Sequence, residues 1–270
     1  MKTPLLQARG LTMRFGGVTA LDALDLDVHE HEVLGLLGPN GSGKTTFFNV
    51  VTGLYAASSG QVLLDGREIT GHSAQQVYRA GVTRTFQRSR LSLPLTVFDN
   101  VAIGRTQQLN TGLWFNLMQR GALKRQHDDT RAQVHALLQT FGAGLAACMD
   151  QPAGLLPMID RRRVEVCRAL ISSPRLLLLD EPSAGMTHDE TRELMDDILM
   201  VRERLSGASP FTVVIIEHEM GVIQRVTQRC VVLNYGRKIA EGSYDEITRH
   251  PEVQVAYLGQ DAEQGVETAP

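Results

Sequence analysis

Gly38-Pro-Asn-Gly-Ser-Gly-Lys-Thr-Thr46 fits the pattern G-x-x-x-x-G-K-[ST], and each residue type in it has a task around a triphosphate. Gly38, Gly41 and Gly43 lack Cβ atoms, so the backbone can wrap closely and turn its N–H groups inward. Lys44 can place a point charge on the β and γ phosphates, and the Thr45 hydroxyl can ligate Mg²⁺. Pro39, Asn40, Ser42 and Thr46 complete the cradle. The flanks agree. Val33 to Leu37 reads as a buried strand leading in, and Thr45 to Val51 reads as a helix with Gly53 as its stop. Such a helix aims the positive end of its dipole at the phosphates.

The matching half of the site lies far downstream, in Leu176-Leu-Leu-Leu-Asp180-Glu181-Pro182. Four apolar residues make a buried strand, with two carboxylates at its C-terminal end, where open α/β sheets bind ligands. Asp180 can hold Mg²⁺ through its water shell, and Glu181 can polarise a water for attack on the γ phosphate. Together the two segments make hydrolysis of ATP or GTP the expected chemistry.

The rest of the chain alternates in a way that suits such a core. Leu5 to Met13 and Ala20 to Val28 read as strands, the second alternating Leu with Asp or Ala. Val97 to Leu145 favours helices. Strand–helix alternation returns with Leu176 to Leu179, Glu190 to Leu205 and Thr212 to Ile216, and Cys230 to Ala240 reads as a late hairpin turning at Gly236. The expected fold is an α/β P-loop core with a mostly parallel sheet. Residues 1–87 and 170–250 form that core and an N-terminal antiparallel β subdomain; 88–169 form a helical insertion, and 251–270 a tail that frays from Asp261.

Composition narrows the classes. A net charge of −3 gives no overall attraction to nucleic acid. Cys148, Cys167 and Cys230 are far apart and form no C-x-x-C, which suits reduced structural thiols in a cytosolic protein. Met1 to Gly10 lacks the apolar stretch of a signal peptide, and no apolar run approaches the roughly 18 residues needed to cross a bilayer. Work on a membrane would go through a partner.

The order of motifs resembles an ATP-binding cassette (ABC) ATPase over nearly the whole chain. Thr85-Phe-Gln87 is similar to the Q-loop, which implies that Gln87 touches Mg²⁺ and the attacking water. Ser183-Ala-Gly-Met186 is similar to the D-loop. Ile215-Ile-Glu-His218 is similar to the switch strand, whose His contacts the γ phosphate. Phe15 falls where the family places an aromatic that stacks on adenine. Glu217, His218 and Glu219 could suggest a metal, but adjacent strand residues point to opposite faces and cannot chelate together. A narrower likeness follows from Arg84-Thr-Phe-Gln, Leu95-Thr-Val-Phe-Asp-Asn100, Asp180 to Met186, Glu217-His-Glu-Met220 and Ala256-Tyr-Leu-Gly259, which resemble the LivG-type ATPases of branched-chain amino acid importers.

That resemblance implies integral-membrane permease subunits, a second ABC ATPase and, indirectly, a periplasmic binding protein. It places the chain peripherally on the cytoplasmic face of the inner membrane, with the helical insertion around Gly112-Leu-Trp114 and the Q-loop as its docking face. Importers of urea, amides or other amino acids, an export-type cassette, and a module that binds ATP with little hydrolysis remain open alternatives. A cassette acting on DNA or ribosomes fits less well, because this chain has neither tandem cassettes nor a long coiled-coil insertion.

The pattern breaks at one point. Where the family carries a Leu-Ser-Gly-Gly-Gln type signature, this chain reads Leu156-Pro-Met-Ile-Asp160. No serine is present to reach a γ phosphate. Pro157 removes an N–H, and Ile159 puts a β-branched side chain where close approach is needed. Asp160 is the expected N-cap of the helix that follows. Arg161 to Arg163 fan over about 200° on a helix of 3.6 residues per turn, so they form no compact basic patch. Family dimers are head-to-tail, each ATP lying between one chain's phosphate loop and the other's signature. The expectation is half of an asymmetric pair.

Overall fold

The computed structural model describes residues 4–87, 90–109, 112–206 and 211–264. Along the chain, β1 (Pro4–Phe15), β2 (Val18–His29) and β3 (Val33–Leu37) precede α1 (Lys44–Val51). Then come β4 (Ser59–Leu64), β5 (Arg67–Glu68), α2 (Ala74–Arg79) and β6 (Val82–Arg84). The helical stretch holds α3 (Val97–Ala102), α4 (Leu113–Met118), α5 (Arg120–Phe141), α6 (Ala143–Ala147) and α7 (Met158–Leu170). Alternation resumes with β7 (Leu176–Asp180), α8 (His188–Ser206), β8 (Thr212–Ile216), α9 (Met220–Val226), β9 (Arg229–Asn234), β10 (Arg237–Gly242), α10 (Tyr244–Thr248) and α11 (Pro251–Gln264).

Two sheets form, in strand orders β2-β1-β4-β5 and β10-β9-β3-β8-β7-β6. In the first, Leu21, Leu24, Leu26 and Val28 of β2 are buried while the intervening Asp25 is exposed, the period-two pattern of an antiparallel sheet with one dry face. In the second, β3 runs parallel to both β8 and β9, and every residue of β3, β7 and β8 is buried. Continuous apolar runs such as Val33-Leu-Gly-Leu-Leu37 suit strands covered on both faces.

The chain divides into two compact units. The first comprises residues 1–82, 178–181 and 211–270; the second comprises 83–177 and 182–210. In the first, Phe47 and Phe48 of α1 are fully buried and anchor the helix that begins at the phosphate loop. The second is helical. Its α5 buries Thr130, Val134, Leu137, Leu138 and Phe141, the i, i+3, i+4 spacing of a stripe facing inward.

Two local expectations are corrected. The helix after the altered signature starts at Met158, with Pro157 in the cap position and no side-chain cap. Proline disfavours helix in the residue before it, and Leu156 is extended at φ −76° and ψ 148°. The chain therefore turns helical at once after Pro157, so Asp160 falls inside the first turn and pairs with Arg163 instead of capping. The polar tail does not fray from Asp261, because α11 continues to Gln264; residues 265–270 lie outside the described residues.

Candidate nucleotide site

The phosphate loop joins β3 to α1. Gly43 caps α1 at φ +106°, and a Cβ there would lie 2.6 Å from the Ala20 carbonyl oxygen, so only glycine fits. Lys44 is buried, and its Nζ donates to the carbonyls of Gly38 at 2.7 Å and Pro39 at 2.9 Å. Burial pulls the Lys44 pKa below its ordinary value, while the nearby charges of Glu181 and Asp180 oppose that shift. The lysine and the acid pair thus share one electrostatic neighbourhood, as the sequence implies. No acidic residue occupies the first turn of α1, so no side chain of the helix's own first turn offsets the positive end of its dipole. Asn40, Gly41 and Thr45 are exposed, whereas Pro39 and Ser42 are buried and Thr46 is half-buried.

Residues remote in sequence hold the loop from outside. The Gly236 N–H donates to the Ser42 carbonyl at 2.9 Å, and the Gly236 carbonyl accepts from the Asp22 N–H at 3.0 Å. The Gly38 N–H donates to the Tyr257 Oη at 3.0 Å. Burial pushes the Tyr257 phenol pKa upward, while the hydrogen bond from Gly38 opposes that shift.

At the end of β7, Asp180 is buried and Glu181 takes a left-handed conformation at φ +47°. Its N–H still reaches the Ile216 carbonyl at 2.9 Å, so the turn is held by β8. The Glu181 Oε1 lies 2.7 Å from the His218 Nε2. His218 sits beyond the end of β8, in the loop before α9. The strand-alternation argument against shared chelation by Glu217, His218 and Glu219 therefore does not apply there; Glu217 is buried and accepts the His218 N–H at 3.3 Å. Phe15 closes β1, 44% exposed, with its ring edge-to-face against Tyr55 at 5.4 Å. An exposed aromatic pair offers a stacking face.

Gln87 belongs to the second unit and is exposed, and its carbonyl accepts from Arg162 at 2.9 Å. Arg161 donates to the Leu156 and Gly154 carbonyls, Arg162 pairs with Glu165, and Arg163 binds Asp160, Glu193 and Asp197. Three consecutive arginines thus serve three separate sets of partners. The structure brings Lys44, Asp180, Glu181 and His218 into one unit with Phe15. Sequence reasoning missed Tyr55, Gly236 as a loop brace, Tyr257, Arg162 and Glu165, because no local pattern advertises contacts that span so many residues.

The sequence profile of the ABC transporter family matches residues 21–184, which include the phosphate loop and the acid pair. This chain is a member of that family. A second profile, of the branched-chain amino acid ATP-binding cassette transporter, matches residues 237–263 of the cassette and so includes Tyr257. The cassette is 38% identical over 260 residues to the high-affinity branched-chain amino acid transport ATP-binding protein LivG of Salmonella typhimurium, covering 96% of this chain and 100% of that one. BraF of Pseudomonas aeruginosa, named for the same transport, is 37% identical with the same coverage. Among solved structures, a nucleotide-free cassette of an ABC transporter superposes with a TM-score of 0.80 at 27% identity, covering 94% of this chain and 99% of that one. The ADP conformation of a cassette of an ABC transporter gives 0.80 at 26% identity, covering 95% and 99%. The cassette is a nucleotide-binding, transport-coupled ATPase with the expected P-loop fold, and none of its described helices is long and apolar enough to cross a membrane.

Proposed function

We propose that the cassette hydrolyses MgATP to drive a branched-chain amino acid importer, as one half of an asymmetric ATPase pair. The observation that carries the chemistry is the shared neighbourhood of Lys44, Asp180 and Glu181, with His218 hydrogen-bonded to the glutamate. Phe15, with Tyr55, stacks the adenine. The α1 N-terminus and Gly38 to Thr46 hold the phosphates, and Lys44 exchanges its loop carbonyls for phosphate oxygens. Glu181 accepts a proton from the water whose oxygen bonds to the γ phosphorus as the bond to ADP breaks, and His218 fixes the carboxylate's direction. The family resemblance assigns Gln87 the orienting of that water.

No cluster of three His, Cys, Asp or Glu side chains that could hold a metal occurs among the described residues. A single buried carboxylate, Asp180, together with the Thr45 hydroxyl of the same unit instead suits Mg²⁺, which keeps several waters and binds through one or two carboxylates plus substrate phosphates, and the family resemblance adds Gln87 to that set. When bound, the ion would neutralise charge on the β and γ oxygens.

The solute follows from likeness: the relatives named for branched-chain amino acid transport match end to end, and the second profile is specific to that group. Docking to integral-membrane permease subunits is supported by the helical insertion, where Trp114, Leu117 and Met118 are 75%, 58% and 71% exposed. Adjacent exposed apolar side chains of this size mark interaction surfaces. The asymmetric pair is supported by Pro157 and Ile159 at the head of α7. The test is reconstitution of the cassette with its permease and a second ATPase in proteoliposomes. Leucine with a solute-binding protein should stimulate phosphate release several-fold, and urea or an amide doing so instead would refute the solute assignment.

A further inference from the structure

We propose that Arg162 is a positioning residue, which sets the Gln87 segment and the turn after Glu181 against one helix. Arg162 lies in the second turn of α7 and is 5% exposed. Its Nη1 donates to Glu165 Oε2 at 2.8 Å. Its Nη2 donates to the Gln87 carbonyl at 2.9 Å and to the Ala184 carbonyl at 3.1 Å. Ala184 stands three residues after Glu181, in the segment that resembles the D-loop. All of Arg162, Glu165, Gln87 and Ala184 belong to the second unit, so the contact set is internal to one compact body.

The helix grips the Gln87 segment at a second place. Glu165 Oε1 accepts the Arg90 N–H at 2.9 Å, and Arg168 donates to the Arg90 carbonyl at 2.7 Å. The arginines also stack: the Arg90 guanidinium lies 3.8 Å from the Phe86 ring centroid. One buried ion pair therefore fixes the backbone at Gln87 and at Arg90, and also the turn that follows Glu181.

The physical reason to assign this a role beyond stability is that a buried ion pair contributes little net stability, since desolvation offsets the Coulomb attraction. What it does supply is direction. A planar guanidinium with a fixed fork of donors can hold two carbonyls at one set distance, which a lysine point charge cannot. The head of this same helix lacks the residues that would meet a phosphate, yet the guanidinium one turn later binds Glu165, Gln87 and Ala184. α7 in this chain thus acts as a connector between two loops rather than as a phosphate-binding terminus.

The catalytic half of this inference rests on the ATPase reading, so the experiment has two arms. In the full chain, Arg162→Gln with Glu165→Gln removes both charges, keeping the shape of the glutamate and shortening the arginine. Hydrogen–deuterium exchange should quicken about tenfold or more at amides in 83–87 and 183–186 and stay unchanged in 38–46. Unchanged exchange in 83–87 and 183–186 overturns the proposal. In the reconstituted complex, the same variant should lower kcat about tenfold and leave the KM for ATP within about twofold. Made in a Gln87→Ala background, it should cost less than about twofold more, because both changes act on one group. Equal fold losses in both backgrounds overturn the claim that Arg162 works through Gln87. Gln87→Ala at the parental rate would refute the role of Gln87 itself, and the exchange arm would still decide the brace. Arg162→Lys, which keeps the ion pair and loses the fork, should fall between parent and double variant in both arms.

Discussion

Lys44 and Glu181 share a neighbourhood but have separable tasks, and substitution distinguishes them. In the proposed mechanism Lys44 meets the phosphates in the ground state, so Lys44→Ala should weaken nucleotide binding by about tenfold or more, since charge-assisted hydrogen bonds contribute about 1.5–3 kcal/mol. Glu181, in the same proposal, acts on the water in the transition state. Glu181→Gln keeps shape and the contact with His218 but cannot accept a proton, so phosphate release should fall about 10²–10⁴-fold with binding nearly intact. Titration calorimetry beside a phosphate-release assay checks both; equal losses of binding for the two variants would contradict this division. At this scale the sequence was legible wherever chemistry is local. Gly38 to Thr46 announces itself because nine adjacent residues must all suit one ligand. Asp160 was misread as a cap because its side chain is right for the task, while the conformation of Leu156 before Pro157 decides where the helix starts.

At the scale of elements, the hairpin of β9 and β10 is part of the nucleotide site although it carries no group that meets nucleotide. Its turn uses Tyr235 at φ +46° and Gly236 at φ +78°, the paired left-handed residues that join twisted antiparallel strands tightly. Gly236 then bonds to Ser42 and Asp22, and a Cβ on it would lie 2.7 Å from the Ala20 carbonyl oxygen. Gly236→Ala should therefore cost about 1–3 kcal/mol of stability and raise the KM for ATP while sparing kcat. Urea unfolding and steady-state kinetics measure the two effects, and parental values for both would show that the brace is idle. The hairpin itself was legible, because alternating apolar residues flank a glycine turn. Its grip on the phosphate loop was not, since Gly236 and Ser42 are joined only by the fold. The same holds for Tyr257 on Gly38: α11 was read as a tail because nothing in its sequence states what its phenol accepts.

At the scale of the molecule, the proposed asymmetric pairing makes the departure at the head of α7 limit what the cassette can do alone. A head-to-tail pair of identical chains would place Pro157 and Ile159 opposite both nucleotides, whereas a pair with an intact second ATPase keeps one complete site on Lys44, Asp180 and Glu181. Purified cassette should therefore hydrolyse ATP at least about tenfold more slowly than an equimolar mixture with its partner, a deficit comparable to losing a transition-state hydrogen bond. Pro157→Ser with Ile159→Gly should recover part of that rate in the isolated chain. Equal rates for chain and mixture would show that the altered segment is harmless. The fold class was readable from strand–helix alternation. The contacts that unite distant segments were not readable, because burial and register arise only after folding. One further consequence follows from Glu181 standing at φ +47°. An L-residue with a long side chain is strained there by about 1–3 kcal/mol, and glycine would relieve that strain against an unfolded-state entropy of about 0.4–1 kcal/mol. Glu181→Gly should thus be chemically inert yet melt no lower than its parent, which makes heat resistance a poor guide to fitness when variants of this enzyme are sorted.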